Sequence, residues 1–143
     1  MAPGSGGSIT NILYEDIEIH RPIWWSFYIG PQQMKNPDGA GPGCMLYPLK
    51  PCDTEPLISI SDVTLRNVRS YGNILPPGIF RCHESNKCTG FVLENVHVSG
   101  WWRLFGLNYI TENVEGSVVK SRPVPAFVNA ADGTVFTEGD NFN

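Results

Sequence analysis

Fourteen Asp and Glu residues are the natural place to look for acid–base or nucleophilic chemistry in this 143-residue chain. Only Glu15 and Asp16 are adjacent to one another. Apolar residues alternate around them, at Ile12 and Tyr14 and again at Ile17 and Ile19, with a slip of one residue at Asp16. That pattern turns Glu15 outward and sets Asp16 on a bend, so both read as solvated residues. Glu84, in the loop between Cys82 and Cys88, and Glu94, at an outward position of a later copy of the pattern, read as surface charges. His20, His83 and His97 occupy unrelated places in the pattern, so neither a metal cluster nor a nucleophile–base pair emerges. No catalytic residue, metal ligand or cofactor is expected from these side chains.

Aromatic and polar side chains offer binding chemistry instead. Trp24, Trp25, Phe27 and Tyr28 crowd one segment, with Trp101 and Trp102 further on. Aromatic faces stack on apolar ring surfaces, and alternation leaves Trp24 and Tyr28 outward if Trp25, Phe27 and Ile29 fill the core. Gln32 and Gln33 follow as hydroxyl-binding candidates, and Arg21 adjoins the same segment as a carboxylate-binding one. Lys35 and Arg103 lie farther from it.

Four cysteines form two close pairs, Cys44 with Cys52 and Cys82 with Cys88. Of the three possible connectivities, local pairing is the simplest, because each pair brackets a short, turn-rich loop. Free buried thiols and zinc are the alternatives, although neither pair has Cys-x-x-Cys spacing. Disulfides would place the protein in an oxidising compartment.

The elements that must position these residues follow from composition and repetition. Fifteen Gly and twelve Pro argue for short segments and many turns. A net charge of −4 gives no field for nucleic acid. No apolar run approaches the roughly 20 residues of a membrane span, and the start, Met1-Ala2-Pro3-Gly4-Ser5-Gly6-Gly7, does not read as a secretory signal.

Segments 9–19, 60–70 and 88–98 superpose without gaps. Each has a turn-former (Asn11, Asp62, Gly90), two alternating apolar residues, an Asp or Asn (Asp16, Asn67, Asn95), then two more apolar residues. Asn and Asp tolerate a left-handed backbone, so each slip reads as a corner between two short strands. A weaker fourth copy covers 108–114, with Asn113 at the corner. Strand–corner–strand repetition points to a right-handed parallel β-helix of three to four coils, all-β, over residues 1–121. A Gly/Pro-rich insertion lies near 31–56, and 122–143 reads as an irregular, loosely attached tail. An antiparallel sandwich is the alternative.

The stretch Arg81-Cys82-His83-Glu84-Ser85-Asn86-Lys87-Cys88-Thr89-Gly90-Phe91-Val92-Leu93-Glu94-Asn95 resembles the late coils of polygalacturonases, in which a short disulfide loop precedes an apolar-alternating strand and an Asn corner. Residues 4–17 resemble the coil after that family's Arg-Ile-Lys motif, and Pro22 to Ile29 the next cleft strand. The resemblance covers about residues 4–100. It implies a pectin-degrading, inverting glycoside hydrolase, secreted or extracytoplasmic, with a pectin-like polysaccharide as partner. Such chemistry needs two carboxyl groups flanking the scissile bond. The family draws them from Asn-x-Asp and Asp-Asp motifs, assisted by Gly-His-Gly and Arg-Ile-Lys. The last three are absent from this sequence, and Asn36-Pro37-Asp38 falls in the Gly/Pro-rich loop, where it reads as coincidence. The expectation is therefore a C-terminal, non-catalytic portion of such an enzyme, inactive alone. A free-standing glycan- or protein-binding module is the rival reading. Open strand edges at the ends would favour self-association.

Overall fold

A computed structural model describes residues 6–31 and 47–137. Seven strands follow one another: β1 (Gly7–His20), β2 (Phe27–Ile29), β3 (Ile58–Asn73), β4 (Gly78–Arg81), β5 (Cys88–Gly100), β6 (Ile110–Glu112) and β7 (Val114–Val119). A single-turn 3-10 helix, Trp101–Phe105, separates β5 from β6. It is far too short to cross a membrane, and no described helix is long and apolar enough to do so.

The expected right-handed parallel β-helix is corrected. The described residues form two small parallel sheets, of order β1-β3-β5-β7 and β2-β4-β6, and not a solenoid of three to four coils. The physical reason lies at the bends. Each was expected to end one short strand and begin another on a different face. Instead β1 and β3 stay paired on both sides of their bends, with Ile9 opposite Ile60, Tyr14 opposite Leu65 and Ile17 opposite Val68. The bends curve long strands without cutting them. The antiparallel sandwich fails too, because every ladder between these seven strands is parallel.

The bends themselves are where the repeat puts them. Asn11, Asp16, Asp62, Asn67 and Asn95 all have φ between 54° and 59°, and Gly90 has φ 67°. A Cβ at Gly90 would lie 2.4 Å from Asp62 Oδ1, so both backbone and space require glycine there. At the second bend the side chains form a ladder across strands. Asn95 Nδ2 donates to Asn67 Oδ1 (2.8 Å), and Asn67 Nδ2 donates to Asp16 Oδ1 (3.2 Å).

The fourth copy is out of register. Glu94 pairs with Val119 and His97 with Arg122, so the residue standing over Asn95 is Lys120, with φ 48°. Asn113 is also left-handed, but it turns the chain between β6 and β7, and its Nδ2 donates to Cys82 O (3.0 Å).

Like residues stack in columns between the sheets. Val68 and Val96 are fully buried on one column, and Leu65, Leu93 and Val118 are nearly so on the next. Phe80, from the three-stranded sheet, meets Phe91 and Phe127 edge-on and leans on Tyr109. The segment after β7 is irregular in conformation but not loosely held. Phe127 is fully buried and Val124 nearly so, while Val128 accepts from the Gly116 N–H (2.9 Å) and donates to Val114 O (3.0 Å). Cys82 and Cys88 form the expected disulfide. Cys52 is disulfide-bonded as well, and its expected partner Cys44 lies outside the described residues.

Candidate functional site at the β1 end

The aromatic segment after β1 lies at one end of the sheets. Arg21 closes the strand with φ 50°, donating its N–H to Tyr71 O (2.7 Å), and its side chain is exposed. Trp24 is exposed, as alternation predicts, and Phe27 is buried against Phe80 and Tyr109. Alternation fails at Ser26. Its hydroxyl shares a 2.8 Å hydrogen bond with Ser70 Oγ and accepts from Asn73 Nδ2 (2.6 Å). Ser70 and Asn73 are buried, so their polar atoms demand an inward partner, and Ser26 supplies it.

Tyr14, Ile17, Ile19, Phe27, Ile29 and Leu65 surround an apolar cavity of about 210 Å³ at this end, with Ser26 and Tyr28 also on its wall. Of the expected sugar-contact residues, Tyr28 alone among those described reaches it. Trp24 and Arg21 stand outside it, and Gln32 and Gln33 lie outside the described residues. Burial raises the Tyr28 pKa, and the Arg81 charge partly opposes that rise.

Arg81 organises a second cluster that sequence reasoning missed. Its Nε donates to Glu112 Oε2 (2.8 Å), its Nη1 donates to the carbonyl oxygen of Cys52, and the guanidinium lies 4.2 Å over the Tyr47 ring. Glu55, buried nearby, accepts from the Leu57 N–H (3.1 Å), and its own N–H donates to Pro31 O (2.6 Å). These contacts fasten the segment before β3 onto the three-stranded sheet. The clue in the sequence was only an arginine at the end of a short apolar strand.

Several described carboxylates hold strands together. Glu94 takes the Arg66 Nε at 3.0 Å, and Glu15 lies 3.8 Å from the same guanidinium on the other side. The Glu94 hydrogen bond, reinforced by its charge, raises the Arg66 pKa. Glu15 and Asp16 are thus exposed, cross-strand residues, as their place in the alternation implies. His20 stacks on Tyr71 with ring centroids 5.2 Å apart, and His83 Nδ1 accepts from the Ser85 N–H (3.1 Å) within its disulfide loop.

The arrangement is best understood through β1 itself. Ile9, Ile12, Tyr14, Ile17 and Ile19 carry the same apolar pattern as β3, yet Ile9 is 41% exposed and Tyr14 45%, whereas Ile60 and Leu65 beside them are 5% and 3%. One edge of this 14-residue strand pairs with β3, and it has no other partner strand among the described residues. A long edge with uncovered apolar columns is a template for another strand. Glu15 and Glu18 face Arg66 and Arg69 on the β3 side.

No family model matches this chain, and no curated protein or solved structure matches it.

Proposed function

We propose that this chain is a non-catalytic portion of a polygalacturonase-like glycoside hydrolase acting on pectin-type polysaccharide. In this reading it is the layer on which the strands bearing the catalytic carboxylates stack, along the open edge of β1. The exposure of β1's apolar columns carries the proposal. Moving a half-exposed Ile or Tyr fully out of water contributes about 1 kcal/mol each, so a strand laid along β1 would gain several kcal/mol before ordering costs. The likeness of residues 81–100 to polygalacturonase coils supports the choice of substrate, and the Cys82–Cys88 disulfide supports a secreted parent protein.

Light scattering on the isolated chain tests the edge. Concentration-dependent association is expected, and Leu13→Lys with Tyr14→Lys should abolish it by placing charge along the strand. A clean monomer at all concentrations would overturn the docking role. Assay of reducing ends from polygalacturonate should show no turnover by the chain alone. Turnover lost on a single Asp or Glu substitution would overturn the non-catalytic assignment.

A further inference from the structure

The disulfide-bonded cysteines stand in different surroundings. Cys82 and Cys88 are 1% and 0% exposed, so both sulfurs of that bridge are shut away from a reagent in solution. Cys52 is only half-buried, and its sulfur has a cation for a neighbour. Arg81 Nη1 donates to Cys52 Sγ at 3.0 Å as well as to the Cys52 carbonyl oxygen.

Arg81 is held in that position by contacts that do not involve the sulfur. Glu112 Oε2 takes its Nε at 2.8 Å, and the guanidinium carbon lies 4.2 Å from the centroid of the Tyr47 ring. The arginine side chain is 14% exposed, so little water screens its charge. Burial raises the Tyr47 pKa and the Arg81 charge opposes that rise, so the field of this cation reaches the groups beside it. The backbone near Cys52 is fixed as well. Glu55 is buried, its carboxylate accepts from the Leu57 N–H (3.1 Å), and its own N–H donates to Pro31 O (2.6 Å). These contacts hold Cys52 beside Arg81 independently of its disulfide.

We infer that Cys52 is a thiol–disulfide exchange site, opened by a dithiol reductant ahead of Cys82–Cys88, with Arg81 holding the released sulfur as a thiolate. A thiolate of the reductant attacks the sulfur bonded to Cys52 and forms a mixed disulfide with it. The original S–S bond breaks, and its electron pair leaves with Cys52 Sγ. The reductant's second sulfur then displaces the mixed disulfide, its proton passing to the partner sulfur, which is released as a thiol. Two electrons have moved from the dithiol, now a disulfide, to the protein. A cation beside the departing sulfur stabilises its thiolate, which speeds departure and favours the reduced form. The exchange needs only the sulfur, the guanidinium and their separation, and does not rest on the pectin reading.

The test equilibrates the folded chain with graded ratios of reduced to oxidised dithiothreitol, quenches with acid, alkylates, and locates the label by peptide mass spectrometry. Cys52 should reach half-reduction at a ratio about tenfold lower than Cys82 and Cys88. Arg81→Gln should raise the ratio that Cys52 needs about fivefold, and Arg81→Lys should raise it less. Glu112→Gln removes the carboxylate that opposes the cation, so it should lower the ratio. A merely structural role for this cluster would move both variants the same way. In the chain reduced at Cys52, its alkylation rate against pH should have a midpoint below the ~8.5 of a free cysteine thiol. Four results would each overturn the site. These are reduction of Cys82–Cys88 first or together with Cys52, equal ratios in Arg81→Gln and the parent, shifts of one sign in Arg81→Gln and Glu112→Gln, and a midpoint at or above ~8.5. If Arg81→Gln loses the circular dichroism of the parent, the Glu112→Gln shift and the alkylation midpoint decide.

Discussion

Ile9 and Ile60 are the same residue type in the same column, one strand apart, yet one is 41% exposed and the other 5%. At the opposite end of the four-stranded sheet, β7 is the last strand, but its neighbours do not face water in this way. The segment after it folds back, pairs Val128 with Glu115, and packs Phe127 edge-on against the rings of Phe80 and Phe91. One end is closed by an irregular segment of the chain itself, and the other ends on a strand with no further partner strand among the described residues. The difference teaches that a repeat pattern specifies which side chains point inward, but not whether anything covers them.

The largest effect should come from opening the closed end. Phe127→Ala removes a fully buried ring and should cost about 3–5 kcal/mol in chemical denaturation. A loss below about 1 kcal/mol would mean that the tail does not cap the core. The isoleucine pair sharpens the contrast. Ile60→Ala should cost about 2–5 kcal/mol, while Ile9→Ala should cost well under that, nearer the ~0.5 kcal/mol typical of surface changes. Equal losses would show that β1 is covered in solution.

A smaller effect is expected within the ladder that links β1, β3 and β5. Asn67→Ala loses hydrogen bonds to Asp16 and Asn95 and forces a Cβ-bearing residue to φ 54° without a polar side chain. A cost of about 1–3 kcal/mol is expected, with Asn67→Gly relieving part of it because glycine accepts that backbone freely. If glycine proves worse than alanine, the left-handed backbone is not what the site selects.

The smallest effect is a dependence on pH near the closed end. His97 has a folded pKa below the 6.5 of a free imidazole, so the unfolded chain takes up its proton first. Stability is therefore fully present above about pH 6.5 and declines as pH falls from there toward the lowered folded value. Comparing denaturation midpoints at pH 7.5 and 5.5 in the parent and in His97→Gln tests this. The variant should show the shallower decline.

Much of the strand pattern was legible before any coordinates. Alternation with a one-residue slip fixed the inward columns of β1, β3 and β5, and the bends fall on Asn11, Asp16, Asp62, Asn67, Gly90 and Asn95 because few other residues sit comfortably at positive φ. Where that chemistry was missing, the reading failed. Lys120 takes the bend above Asn95 with nothing in its side chain to announce it, whereas Asn113, which matches the pattern, turns the chain between β6 and β7. Ser26 turned inward to satisfy Ser70 and Asn73, residues about 45 positions away that local alternation does not register.

The candidate sites divide in the same way. Exposure of Trp24 and the local disulfide Cys82–Cys88 follow from short-range spacing, which the sequence records directly. The sequence alone determined the Asn, Asp and Gly bends and the inward columns of β1, β3 and β5, since both depend on each residue's own backbone preference and on its immediate neighbours. Tertiary structure alone decided that the bends leave strands whole, so that two parallel sheets form, that Phe127 packs into the core at one end while Ile9 and Tyr14 stay partly exposed at the other, and that Arg81 reaches Cys52. Those outcomes depend on which distant segments meet, and hydrogen bonds and packing between strands are settled only when the chain has folded.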